Sequence, residues 1–186
     1  MADLAAVAQR WRQVLADAGY LRRELLRLGP RDAYVRLAQN FDEAAVREVA
    51  AFERVYERLA NELDHLIRDY LKRIAPRVDA QKAVDDSPMG SLLGGFATAR
   101  KLPAASRDSL RRAAAARNDL QHDYINVRAT EVFDGIGELL AGIEPVLGAV
   151  RQPWHEQGIE LPAPPSGGLG AGIRGPQPCP GQALWP

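Results

Sequence analysis

The stretch AAARNDLQHDYINV, residues 114–127, sets Arg117, Asn118, His122 and Tyr124 within eight positions of an otherwise alanine-rich segment. A neutral imidazole, with an ordinary pKa of about 6.5, takes a proton from a ribose 2′-hydroxyl or returns one to a departing 5′-oxygen. A guanidinium holds the charge that gathers on the phosphate between them. Cleavage of RNA by this route needs no metal. At about 100° per residue, Arg117 and Tyr124 share a helix face, Asn118 and His122 stack one turn apart, and His122 points about 140° away from Arg117. An Arg and a His that diverge on one helix are most simply pooled when two copies of that helix meet across a two-fold axis, so the geometry favours a homodimer. A purely structural reading of the same residues stands beside this one. In it Arg117 pairs with Asp119 or Asp123, His122 lies on a surface or interface, and Tyr124 packs its ring into a core.

Other chemistries find little support. His65, His122 and His155 are far apart, and none sits in a His-Glu-x-x-His or similar spacing, so neither a metal nor a cofactor is expected. The lone Cys179 excludes a disulfide framework within the chain and a cysteine-based metal site. GSLLGG at 90–95 lacks the Lys-Ser/Thr ending and the preceding strand of a phosphate loop. Lys+Arg and Asp+Glu both number 24, so the net charge is zero, and an anionic partner must be met by a local patch rather than a bulk field. No apolar run is long enough to span a membrane, and no apolar core of signal-peptide type opens the chain, so a cytoplasmic protein is the default.

RNDLQHDY resembles the Arg-x4-His-x-Tyr signature of the HEPN superfamily, most closely its HepT-like toxins. The resemblance extends to layout: two longer helices, a helix carrying Arg-Asn and His-x-Tyr, a bend, and a final amphipathic helix. It implies a metal-independent endoribonuclease acting as a homodimer in a toxin-antitoxin pair. Arg117 and His122 would be catalytic, with Asn118 and Asp119 in support, and Tyr124 would be the residue a nucleotidyltransferase antitoxin modifies with AMP. Negative charge and bulk attached there would obstruct an anionic substrate. Some members of the family are non-catalytic binding or dimerisation modules, and such a helical partner of a nucleotidyltransferase is the alternative.

The elements that must hold these residues are read from apolar spacing. Leu4, Ala8, Trp11, Leu15, Ala18, Leu25 and Leu28 mark a first helix, capped by Asp3 and stopped at Gly29-Pro30. A short helical piece, 31–39, precedes the strongest pattern, Ala45, Val49, Phe52, Tyr56, Leu59, Leu63, Leu66 and Tyr70, which predicts one long helix from Asp42 to Ala75. Phe52, Tyr56, Leu59, Leu63 and Leu66 are its expected core, and the face with Glu48, Arg54, Glu57, Arg58, Glu62 and Arg68 is expected to be solvated. Residues 76–90 read as a connecting loop, 91–101 as a short helix, and Ser106 as the N-cap of the motif helix. A bend at 126–130 leads to a last helix bearing Phe133, Ile136, Leu140, Ile143, Leu147 and Val150, weakened by Gly135, Gly137, Gly142 and Pro145. The fold class is all-α, an up-and-down helical bundle, and the resemblance implies that it is HEPN-like. One domain is expected over 1–161, followed by a disordered Pro/Gly-rich tail over 162–186 that is dispensable for folding.

Overall fold

A computed structural model describes residues 4–74, 83–122, 129–155, 160–164 and 168–169, and all regular structure among them is helical. Six helices build the bundle: α1 (Leu4–Leu28), α2 (Arg31–Ala38), α3 (Glu43–Ile74), α4 (Met89–Ala99), α5 (Ala104–His122) and α6 (Ala129–His155), with one further helical turn at 83–86. No described helix is long and apolar enough to cross a membrane.

α1 packs along α3, α4 on α5, and α5 on α6, while α2 bridges α3 and α6. The stripe that α1 buries is Val7, Trp11, Val14, Ala18, Leu21 and Leu25. Its steps of four and three run without a break, which is the seam a helix presents to a near-parallel or antiparallel neighbour. The spacing read from sequence had assigned Ala8 and Leu15 to this stripe, and both are only partly buried at its edge. On α3, Asp42 caps the first turn by accepting from the Ala45 amide at 2.8 Å. The expected core residues Phe52, Tyr56, Leu59, Leu63 and Leu66 are all buried there.

The charged face of α3 is not simply solvated. Arg58 donates through Nε and Nη2 to Asp17 on α1, at 2.8 and 2.6 Å, and Asp17 is only 3% exposed. Arg10 binds Asp69. Arg68 pairs with Asp64 and also reaches the carbonyls of Val84, Asp85 and Ser87, tying the turn at 83–86 to α3. Alternating charges in the sequence carry no mark of which member is to be packed across a seam, and here α1 supplies acidic and basic partners to α3. Part of the expected connecting loop is thereby anchored.

Three element boundaries differ from the sequence reading. α4 begins at Met89 after Pro88, so Gly90 is inside the helix. α5 begins at Ala104, with the Arg107 amide donating to the Pro103 carbonyl, and Ser106 is a buried helical residue rather than a cap. α6 begins at Ala129 and runs through Pro145.

Two of the α6 glycines are what let the helices meet. A Cβ on Gly135 would stand 2.7 Å from Ala116 Cβ and 2.8 Å from the Tyr56 hydroxyl, and one on Gly142 would stand 2.8 Å from Leu110 Cγ. Glycine here lowers helix propensity but permits a backbone approach that any side chain would block.

At the other end of the bundle the described residues beyond α6 pack back on it. Leu161 and Leu169 are buried, the Arg151 guanidinium donates to the Leu161 carbonyl at 3.0 Å, and the Trp11 indole donates to the Pro162 carbonyl at 2.9 Å. The boundary expected after Leu161 therefore cuts through packed chain. A buried indole N–H needs an acceptor, and Pro162, whose carbonyl is intact even though its nitrogen has no proton, supplies it. Residues 165–167 and 170–186 of the expected tail lie outside the described residues.

Candidate functional site

The buried side of α5 is Leu110, Ala113, Ala114 and Leu120, and small alanines there bring the helix close to α3 and α6. Arg117 emerges from this apolar face, half-buried, and turns toward α3. Its Nη2 donates to the side-chain oxygen of Asn61 on α3 at 2.5 Å, and its Nη1 to that of Asn118 at 3.3 Å. Its Nε is buried and has no hydrogen-bond partner among the described residues. A buried guanidinium ordinarily meets a carboxylate. Among the described residues this one meets amide oxygens instead. Asp119, one of the two acidic partners the sequence offered, is exposed two positions on and makes no ion pair with it, and the other, Asp123, lies outside the described residues.

Tyr56 lies on α3, one helical turn and a residue before Asn61. Its hydroxyl donates to the Ala113 carbonyl at 2.7 Å and lies against Gly135. Burial raises its pKa far above the usual 10, and the nearby positive charge of Arg117 only partly offsets this. Tyr56 thus stays protonated and acts as a donor that pins α3 to α5, not as a base.

On the same helix, five residues before Arg117, Arg112 is treated in the opposite way. Its Nε and Nη2 meet the two carboxylate oxygens of Glu138 at 2.7 and 2.9 Å, a bidentate pair across the α5–α6 seam. Desolvation pushes the Glu138 pKa up, but hydrogen bonds from Arg112 and Ser109 outweigh it and hold the carboxyl below its ordinary value. Nearer the start of α6, Asp134 pairs with Arg31 at 2.5 Å, and there burial wins, raising the Asp134 pKa.

Of the residues singled out by sequence, the structure brings Arg117 and Asn118 together and leaves Asp119 facing out. His122 is the last residue of α5; its side chain, like the whole of Tyr124, lies outside the described residues. His65 and His155 are exposed, away from Arg117 in the chain. Among the described residues no group of three His, Cys, Asp or Glu side chains is placed to hold a metal ion. Asn61 was missed by sequence reasoning. Its signal was a poor helix former in the middle of the long helix, in ERLANELDH, where a solvent-facing position would favour Glu, Lys or Gln.

No family model matches this chain, and neither a curated protein nor a solved structure matches it.

Proposed function

We propose that this protein is a HEPN-like, metal-independent endoribonuclease that works as a homodimer, the toxin of a toxin-antitoxin pair in the cytoplasm. One observation carries the reading. The guanidinium of Arg117, at the head of the Arg-x4-His-x-Tyr motif, is fixed by two amide oxygens and neutralised by no carboxylate among the described residues. A charge held in place but left uncompensated is suited to an anion, and more so in a partly desolvated setting than in water. In this mechanism Arg117 stabilises the charge on the scissile phosphate, and His122 moves the proton between the 2′-hydroxyl and the leaving 5′-oxygen. Two α5 helices facing across a two-fold axis supply both groups to one cleft. Single-stranded or looped RNA is the substrate class, since its splayed nucleotides reach the in-line geometry a duplex resists. A nucleotidyltransferase antitoxin would silence the site by attaching AMP to Tyr124.

The test is RNA cleavage by purified protein in EDTA. Persistent cleavage that is lost in His122→Ala supports the reading, and unchanged cleavage in well-folded His122→Ala contradicts it. A mixed dimer of His122→Ala with Arg117→Ala sharpens the test, because a site pooled from two chains regains one intact set and a self-contained site does not.

The alternative, a non-catalytic helical module that binds a nucleotidyltransferase, is favoured by one specific feature: Arg117 turns toward α3 rather than outward. If that is its whole role, Arg117→Ala lowers stability and leaves every nucleic-acid measurement unchanged.

A further inference from the structure

We infer that Asn61 is a positioning residue, one that fixes the Arg117 guanidinium without neutralising it and so keeps its charge available to a phosphate. This rests on the reading of Arg117 as the phosphate-binding group, and adds a residue from another helix, 56 positions away in the chain.

The fold has an alternative at hand and uses it elsewhere. Arg58, Arg68 and Arg112 are each gripped by a carboxylate, on Asp17, Asp64 and Glu138. A carboxylate orients the guanidinium fork and cancels its charge in the same act. An amide oxygen accepts the same hydrogen bond and carries no net charge. At Arg117 the acceptors among the described residues are the amides of Asn61 and Asn118, at 2.5 and 3.3 Å. The two differ in what they can fix. Asn118 is the neighbour on the same helix and moves with Arg117, whereas Asn61 stands on α3 and sets the direction of the fork relative to the bundle. The Tyr56 bond to the Ala113 carbonyl fixes α3 against α5, so the position of Asn61 is itself fixed. Independently, the buried Arg117 Nε lacks a partner among the described residues. A buried donor without an acceptor is costly in a finished structural contact, and is accounted for when an anion completes the set.

Asn61→Asp is the decisive substitution, since it keeps shape and acceptor and adds one negative charge beside Nη2. The probes are a short single-stranded RNA and inorganic pyrophosphate, with binding measured across a salt series and thermal unfolding measured in parallel. Asn61→Asp is expected to bind RNA about 10- to 100-fold more weakly, the range of one charge-assisted contact. The slope of log affinity against log salt should fall by about 0.7, as for the loss of one phosphate contact on a single strand. Its unfolding midpoint should not drop. In an Arg117→Ala background the same substitution should cost no more than about twofold further, because two changes acting through one group do not add. Asn61→Ala, which removes the acceptor but adds no charge, should weaken binding while keeping the parent slope, so the inference remains testable if the aspartate variant does not fold. Parent-like binding of both probes by Asn61→Asp overturns the inference, and so does an equal loss with and without Arg117. If RNA binding does not depend on Arg117 but pyrophosphate binding does and Asn61→Asp abolishes it, the ribonuclease reading falls and the role of Asn61 stands. If neither probe depends on Arg117, both fall.

Discussion

Arg112 and Arg117 lie on one helix, five residues apart, and the molecule handles them in opposite ways. Arg112 is largely exposed yet bound through Nε and Nη2 to both oxygens of Glu138, a carboxylate almost withdrawn from solvent. Arg117 is more deeply placed and meets only amides among the described residues. If arginine served the same purpose at both positions, the deeper one would need the carboxylate more, because desolvation of a charge grows with depth. The order is reversed. Arg112 serves the α5–α6 seam, and the charge of Arg117 is left without a carboxylate partner among the described residues.

The largest expected effect comes from cutting the scaffold the two arginines share. Leu63, fully buried on α3 two residues after Asn61, should cost about 2–5 kcal/mol as Leu63→Ala, measured by urea unfolding. A loss well under about 1 kcal/mol would mean that α3 does not organise the site. Truncation after Leu161 is next. It removes the buried Leu169 and the acceptor of the Trp11 indole, at a cost of about 2–4 kcal/mol, and should leave RNA cleavage per folded molecule unchanged because that packing is at the far end of α6. Gly135→Ala should cost about 1–3 kcal/mol, since its methyl would meet Ala116 and Tyr56 at once, and should also reduce cleavage by displacing α5 from α6.

The smallest effect separates the two arginines by pH. Glu138 has a lowered pKa in the folded protein, so its stabilising contribution is fully present above the unfolded value of about 4.3 and is lost as pH falls through the lower folded value. Arg112→Ala should remove most of that contribution and flatten this part of the acid limb of a stability curve. Arg117→Ala should leave the limb as it is, for no carboxylate among the described residues depends on it through an ion pair. Acid limbs of equal steepness in parent and Arg112→Ala would show that the Glu138 pair contributes nothing measurable.

The helices were legible in the sequence because burial imposes a period, and the face of α3 was read correctly from Phe52 to Leu66. What period does not carry is the partner across a seam. Asp17 and Arg58 are 41 positions apart, and nothing local to either indicates that one would be buried against the other. The glycines of α6 read as weaknesses because propensity is a property of one helix, whereas the space Gly135 leaves is shared by three. The segment from Pro162 read as unable to fold on its composition, which counts apolar residues but not where one of them, Leu169, can dock. At the candidate site the motif made Arg117 and Asn118 visible. Asn61 became visible only when α3 was laid against α5.

If Arg117 holds an available charge for RNA and Arg112 holds the fold, their substitutions should part cleanly. Cleavage of a single-stranded RNA in EDTA should be measured for the parent, Arg117→Ala and Arg112→Ala, with unfolding free energies for all three. Arg117→Ala should lose on the order of 100-fold or more in cleavage rate with little change in stability. Arg112→Ala should do the reverse, losing about 1–3 kcal/mol by leaving Glu138 without its partner and keeping near-parent cleavage. Parent-like cleavage by folded Arg117→Ala, or a loss of cleavage in Arg112→Ala as large as that in Arg117→Ala, would show that the two arginines do not divide these roles.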